Sequence, residues 1–252
     1  ALEKEIYNRK REEAVTKAKN EQLRANLLRS ISHDLRTPLT SISGNVAILL
    51  NNEEAFDKEK RRQLYTGIYD DSMWLINLVE NLLSVTRLEE SSMRLNMQVE
   101  LVDEVIEEAL KHISRKREEH QLVYEPSEEL LLAKMDSRLI VQVLINLVEN
   151  AIKYTQEGSR IEISAVQKGD MIQISVADNG KGIKEDAKEK IFDMFYTAEN
   201  KPADSRRGLG LGLFLAKSII HAHGGIIWVT DNVPSGTIFS FTLQAEEVTI
   251  SE

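Results

Sequence analysis

Cysteine is absent from this chain of 252 residues. That excludes a disulfide framework, a thiolate zinc site and a cysteine nucleophile together. Positive charge is also scarce. With 32 Lys and Arg against 41 Asp and Glu, the formal charge is −9, the wrong sign for a general phosphate-gripping surface, so no nucleic-acid partner is expected. No uninterrupted apolar run approaches the roughly 20 residues that span a bilayer, and no secretory signal is visible. Internal repeats and low-complexity tracts are missing as well. The chain opens with Ala1 and not Met, and it is read as an excised piece whose membrane attachment, if any, lies in segments outside it. What remains is a 42% hydrophobic sequence, long and apolar enough for one large or two ordinary domains with a real core.

Residues 1 to about 29 have neither Gly nor Pro and are dense in Lys, Arg, Glu and Gln, which reads as a solvated helix or an entering coiled coil. Leu28, Leu35, Ile42 and Leu49 then repeat every seven residues. Leu39 and Val46 fall four after Leu35 and Ile42, an a/d seam whose first d position is Ser32. Asn51 to Lys60 is polar, with Asp57 placed to cap a second helix carrying Leu64, Ile68, Leu75, Leu78, Leu82 and Val85. Two such helices make a hairpin with an unfilled seam, most simply completed by a second copy into a four-helix bundle. After about Ser91 the texture changes to short strand-like runs (Gln121–Glu125, Arg160–Val166, Met171–Ala177, Gly225–Thr230, Gly236–Leu243) between helical runs near Val102–Glu119, Ser137–Tyr154 and Leu211–His223. The fold class is therefore α+β: a helical hairpin followed by an α/β sandwich.

Four constellations carry chemistry. In Ser32-His33-Asp34-Leu35-Arg36-Thr37-Pro38-Leu39, His33 lies beside the seam, exposed and available as a nucleophile or acid/base. Asp34 is adjacent to accept a ring proton, and Thr37 follows one turn later on the same face. Pro38 frees the Asp34 carbonyl and bends the axis. A surface histidine beside a proline fits the spacing as well. On Ser137–Tyr154 the stripe Asn146, Asn150, Lys153 and Tyr154 sets two amides, an ammonium and a phenol on one face, suited to hydrated Mg²⁺ and polyphosphate. The alternative is a solvated face, which would normally carry Glu and Lys and not paired Asn. Asp178-Asn179-Gly180-Lys181-Gly182-Ile183 follows a strand. The Asp can accept from an exocyclic amine and the glycines admit a flat ring, though a plain turn accounts for the residues equally. Arg207-Gly208-Leu209-Gly210-Leu211-Gly212 enters a helix as an anion cradle, matching neither Walker nor Gly-x-Gly-x-x-Gly spacing. Residues 196–207 look like a lid with Phe192 and Phe195 at its root. His221 and His223, before Gly224-Gly225, read as cationic or dipolar residues at a helix C-terminus.

Taken in order, His33–Pro38, Asn146–Tyr154, Asp178–Gly182, Phe192–Phe195, Gly208–Gly212 and Gly236-Thr237 resemble the H, N, G1, F, G2 and G3 boxes of the sensor histidine kinases of two-component systems, over nearly the whole chain. Asp after His33, with the runs Ser32–Thr40 and Tyr65–Val85, is similar to the potassium-responsive Kdp-type branch. A generic sensor kinase outside that branch is the alternative. The resemblance implies a linker helix over 1–27, a dimerisation and phosphotransfer hairpin over 28–91, a Bergerat-type ATP-binding domain over 92–247 and a tail over 248–252. It implies that His33 is phosphorylated, Asp34 is its base and Thr37 positions water for dephosphorylation of the partner. Asn146 and Asn150 would hold Mg²⁺, Lys153 the phosphates, Tyr154 the ribose or base region, and Asp178 the adenine amino group. Gly180, Gly182, Ile183, Phe195, Arg207, Gly208, Leu209, Gly210, Leu211, Gly212 and Thr237 would complete the ATP pocket. The implied enzyme is a protein histidine kinase, a homodimer passing phosphate to the receiver domain of a response regulator, from the cytoplasmic region of a bacterial inner-membrane sensor. The rival classes are a Bergerat ATPase without kinase activity, which would have no His33 motif on a dimeric hairpin, and a coiled-coil scaffold, which gives no reason for the paired Asn.

Overall fold

The computed structural model describes residues 35–51, 56–89, 95–113, 119–194, 196 and 210–246, with 77, 80 and 82–89 described by backbone alone. By its internal contacts the chain divides into two units, the second beginning at Asn81. The first contains α1, helical throughout 35–51, and most of α2 (Lys58–Glu89). The expected cap at the start of α2 is present: the Lys60 N–H donates to Asp57 Oδ1 at 2.7 Å, and the Arg61 N–H donates to the Asp57 carbonyl at 3.1 Å. The first satisfies one of the helix's orphan donors, and the second is its first regular i→i−4 bond.

The heptad positions divide between two faces. Leu49 and Leu78 are buried, and Gly67 lies under Asn45, whose Nδ2 would be 3.2 Å from a Cβ there, so the two helices pack as the expected hairpin. The d residue Leu39 is 51% exposed, and Val46, Tyr65, Tyr69, Ile76 and Val79 are exposed with it. A two-helix hairpin has only one inward face, and the second apolar stripe therefore stays open. The boundary expected between 91 and 92, and the side chains of the expected core residues Leu82 and Val85, lie outside what is described.

The second unit is a two-layer sandwich. Its main sheet has the order β2-β4-β5-β7-β6 (Gln121–Tyr124, Arg160–Lys168, Met171–Asp178, Thr237–Gln244, Ile227–Asp231), with β2 parallel to β4 and the other pairs antiparallel. Alternate residues of the central strands (Ile161, Ile163; Ile172, Ile174, Val176; Phe239, Phe241, Leu243) point into one core, as the period of two requires. Helices α3 (Val102–His112), α4 (Ser137–Tyr154) and α6 (Gly212–Ala222) cover that face. A separate antiparallel pair, β1 (Gln98–Leu101) and β3 (Leu132–Met135), flanks them. These strands are absent from the sequence expectation because, unlike β2 with its Val and Tyr, they are only four residues long and largely of helix-compatible types. The short α5 (Glu185–Lys188) is absent from it because of its length.

Two expectations need correction. The helix from Val102 does not run to Glu119; it ends at His112, where Ile113 turns to extended backbone (φ −69°, ψ 141°) and is buried. Burial of that side chain outweighs continued helix. His223 is not a solvated cation at a helix end. It is buried, its Nδ1 bonds the Ile219 carbonyl at 2.8 Å and its Nε2 accepts the Asp136 N–H at 3.0 Å, which requires a neutral ring. The glycine half of that expectation holds: Gly224 (φ +74°) donates to His221 O and Gly225 to Ile220 O, a Schellman closure of α6.

The cap gives a direct test. Asp57→Ala should lower the stability of the hairpin by about 1 kcal/mol, read as a lower denaturation midpoint. An unchanged midpoint would mean that the Lys60 N–H finds water at no cost.

Candidate functional site

Helix α4 supplies the floor of the site because its two faces have different solvents. Ile140, Val143, Leu144, Leu147, Val148, Ala151 and Ile152 are buried, while Asn146, Asn150, Lys153 and Tyr154 line the other side, half-buried or exposed. From Asn146 to Tyr154 this stripe runs about 12 Å at 1.5 Å per residue. Each end meets one of the glycine motifs. At one end Asn146 Nδ2 donates to the Gly212 carbonyl at 3.3 Å, which turns Oδ1 away from that bond. At the other, a Cβ on Gly180 would fall 2.9 Å from Thr155 Cγ2 and 3.4 Å from the Tyr154 carbonyl. The Lys153 ammonium lies 5.2 Å from the centre of the Tyr154 ring, a cation–π distance. On the flank of the same helix, burial pushes the Glu149 carboxyl above its ordinary range.

Asp178 closes β5 at the second end. Its carboxylate is buried, and Oδ1 accepts the Gly180 N–H at 2.8 Å and the Thr237 N–H at 3.3 Å. Burial raises its pKa, and those two N–H bonds oppose the rise without cancelling it. The neighbouring chain is built around this corner. Asn232 Nδ2 donates to the Asp178 carbonyl at 2.8 Å. Gly236 has φ +121°, and a Cβ there would stand 1.9 Å from that same carbonyl oxygen. No side chain fits at Gly236, for reasons of both space and backbone. Gly182 (φ +75°) and half-buried Ile183 continue the turn.

Gly210 (φ +66°) and buried Leu211 lead into α6, whose first turn closes through the Leu215 N–H to the Leu211 carbonyl. Phe192 is buried edge-on against Phe239, ring centres 6.1 Å apart, and Lys188 ties α5 to the end of β6 through Asp231 at 2.7 Å. Thr37 lies half-buried on α1. His33, Asp34, Phe195, Arg207, Gly208 and Leu209, together with most of the expected lid, lie outside the described residues. The structure thus brings together Asn146 with Gly212, and Asp178 with Gly180 and Thr237. Asn232 and Thr155 are not among the expected site residues, and Gly236 is expected only as part of the Gly236-Thr237 motif. Asn232 and Thr155 carry no local signal, since each acts on the site through a contact distant in sequence. Among the described residues no group of three His, Cys, Asp or Glu could hold a metal. On the polar stripe of α4 the donors of Asn146 and Asn150 are amide oxygens, which suit a hydrated Mg²⁺ arriving with phosphates and not a protein-caged ion.

The Asp178 corner predicts a pH signature. With its folded pKa above the unfolded one, its contribution to stability is complete below the unfolded value of about 4 and is lost as pH rises through the folded value. Asp178→Asn keeps an oxygen for both N–H donors and removes the buried charge. Its stability relative to the unmodified chain should therefore improve as pH rises from about 3 to 7. Denaturant melts across that range that show the variant losing ground would reverse the assignment.

Residues 135–247 match the family described as histidine kinase-, DNA gyrase B- and HSP90-like ATPase, and residues 23–91 match the His kinase A phospho-acceptor domain. The chain is 43% identical to Sensor protein KdpD of Clostridium acetobutylicum over 98% of its own length and 27% of that protein's, so it spans about a quarter of that relative. It is 33% identical to the solved catalytic domain of histidine kinase ThkA, with a TM-score of 0.52, covering 59% of this chain and 95% of that one. A second structure, histidine kinase ThkA in complex with response regulator protein TrrA, aligns with 28% identity and a TM-score of 0.61, covering 88% of this chain and 61% of that one. Among the described residues no helix is long and apolar enough to cross a membrane. By both matching domains and by these relatives, the chain belongs to the histidine kinase family, with its resemblance lying toward the Kdp-type sensors.

Proposed function

We propose that this chain binds ATP on α4, transfers the γ-phosphoryl group to His33 and passes it on to an aspartate of a response-regulator receiver. The observation that carries the reading is the pairing of the two ends of the polar stripe on α4. A carboxylate held by two backbone N–H groups (Asp178) stands at one end, and the glycine start of α6, tied to Asn146, stands at the other. Asp178 has acceptor capacity left for an exocyclic amine. A Cβ on Gly180 would crowd Asp178 Oδ1 at 2.9 Å, so glycine there leaves the carboxylate open to a flat base, while Gly236 packs tightly behind it on the Asp178 carbonyl. The α6 N-terminus favours anions, and Lys153 adds a cation for phosphate. In the proposed assignment Asn146 and Asn150 hold Mg²⁺, which when bound neutralises phosphate charge.

In the phosphorylation step an unprotonated ring nitrogen of His33 forms a bond to the γ-phosphorus. The bond from that phosphorus to the β–γ bridging oxygen breaks, and ADP leaves with the electron pair. Asp34, as base, takes the ring proton. The receiver's aspartate oxygen then displaces the imidazole from the same phosphorus, the ring regaining its proton from Asp34 as it leaves. Most of the rate enhancement comes from holding these groups in line. The open apolar stripe of the hairpin (Leu39, Val46, Tyr65, Tyr69, Ile76) supports a homodimer through residues 28–91. The reading also places the region in the cytoplasm, where ATP and a receiver are available, with membrane attachment supplied by segments outside this sequence. The domain limits 1–27, 28–91, 92–247 and 248–252 are retained as part of the proposal.

His33→Gln decides the acceptor. Incubation with γ-labelled ATP should give acid-labile, base-stable label on the unmodified chain and none on the variant, with nucleotide affinity nearly unchanged. Continued labelling of the variant would move the acceptor elsewhere. Thr37 separates the forward transfer from the reverse hydrolysis. Its hydroxyl lies one turn beyond His33, where it can orient water toward a docked phosphoaspartate. Thr37→Ala should keep autophosphorylation within a few-fold while receiver dephosphorylation falls steeply. Equal losses of both, with a lower melting temperature, would reduce Thr37 to a helix-bend residue.

A further inference from the structure

His223 lies at the far end of α6 from the glycine motif and is used by no step above. We infer that it is a positioning residue: it sets how far along α4 the helix α6 sits, and so where the Gly210–Gly212 turn meets Asn146. The inference deepens the nucleotide reading and rests on it.

Helices α4 and α6 run antiparallel, because the start of α6 meets the middle of α4 and its end meets the start of α4. Between those ends the residues are apolar: Leu215, Ala216 and Ile219 of α6 and Val143, Leu144 and Leu147 of α4 belong to one buried core. Apolar burial is non-directional, and it resists sliding less sharply than a hydrogen bond of fixed length. Two polar ties bracket this contact. Asn146 Nδ2 meets the Gly212 carbonyl at 3.3 Å, and the Asp136 N–H meets His223 Nε2 at 3.0 Å. The ties are ten residues apart on α4 and eleven apart on α6. That is about 15 and 16 Å at 1.5 Å per residue, so both close together at a single axial position.

The two ties differ in strength. The Asn146 bond is long and lies at the half-buried stripe. The His223 bond joins two buried residues, with Asp136 at 4% exposure and His223 at 7%. Loss of its acceptor would leave a backbone N–H unpaired where water has little access, the costly case. The ring is fixed for this purpose: bonding of Nδ1 to the Ile219 carbonyl at 2.8 Å holds the tautomer whose Nε2 accepts. Asp136 is itself immobilised. Its carbonyl accepts the Leu139 and Ile140 N–H groups, and its Oδ2 accepts the Asn96 N–H at 3.0 Å. His223 therefore references α6 to a fixed point at the start of α4.

The test uses two amides that each copy half of the ring. Gln places an oxygen near the Nε2 position and can still accept from Asp136; Asn reaches only the Nδ1 position and keeps the Ile219 bond alone. At a temperature where circular dichroism finds all proteins folded, ADP binding by calorimetry should be weakened about tenfold in His223→Asn. In His223→Gln it should stay within about threefold of the unmodified chain. Ile106→Val, a core change on α3, provides a destabilised comparison whose affinity should not move. Equal affinities of His223→Asn and the unmodified chain, with only a lower melting temperature, would make the tie structural and overturn the inference. Hydrogen exchange on nucleotide-free protein distinguishes this from failure of the nucleotide reading. His223→Asn should speed exchange at the Leu215 amide in the first turn of α6, eight residues from the substitution, and unchanged exchange there overturns the positioning role. An unmodified chain that binds no ADP overturns the nucleotide reading itself and removes the role with it.

Discussion

The structure depends on α4 having to satisfy two solvents at once. One face must bury seven apolar residues against the sheet and its neighbouring helices, while the other must stay polar over about 12 Å without collapsing onto protein. Once that helix is placed, the site follows. The end of β5 is brought to its C-terminal turn, the start of α6 is brought to its middle, and the polar stripe becomes a floor between two glycine-bearing turns. A helix with apolar residues all round would have filled the space with core.

The corner at Asp178 is the main local cost of this arrangement. Burial opposes the carboxylate's charge, and the two N–H bonds on Oδ1 offset only part of that penalty, leaving the group with a raised pKa. Such a carboxylate is held in place by its surroundings and not by its own preference. Those surroundings are specific: Gly236 lies against its carbonyl where no Cβ fits, and Asn232 grips that carbonyl from the side. Perturbed acids in polar clefts are marks of functional sites, and here the perturbation coincides with a glycine approach and an unfilled polar face.

The hairpin and the sandwich solve different problems. The sandwich closes its core within one chain. The hairpin cannot, since two helices offer one shared face and its sequence carries apolar residues for two. In the proposed function the open stripe and His33 fall within one stretch of sequence, so association and phosphotransfer would be coupled there. The charge of −9 is compatible with this division, because neither the hairpin seam nor the proposed nucleotide floor depends on a basic patch.

Much of this was legible in the linear sequence wherever a period or a turn rule applies. Helix α4 was bounded at Ser137 and Tyr154 from its 3.6-residue pattern, the central strands from alternation, the Asp57 cap from its position before a periodic run, and the end of α6 from Gly224-Gly225. The N-box stripe and Asp178 were nameable because paired amides and a strand-end carboxylate are unusual residue choices for their places. Three things were decided only in three dimensions. Strands β1 and β3 exist through their mutual pairing, too short and too helix-compatible in residue type to carry a signal of their own. Ile113 ends α3 because the core lies beside it. His223 is neutral and structural because Asp136, 87 residues away in sequence, offers it an N–H. Local periodicity reports which face of an element is apolar, whereas a hydrogen bond between distant residues depends on how elements are stacked, and no local pattern encodes that.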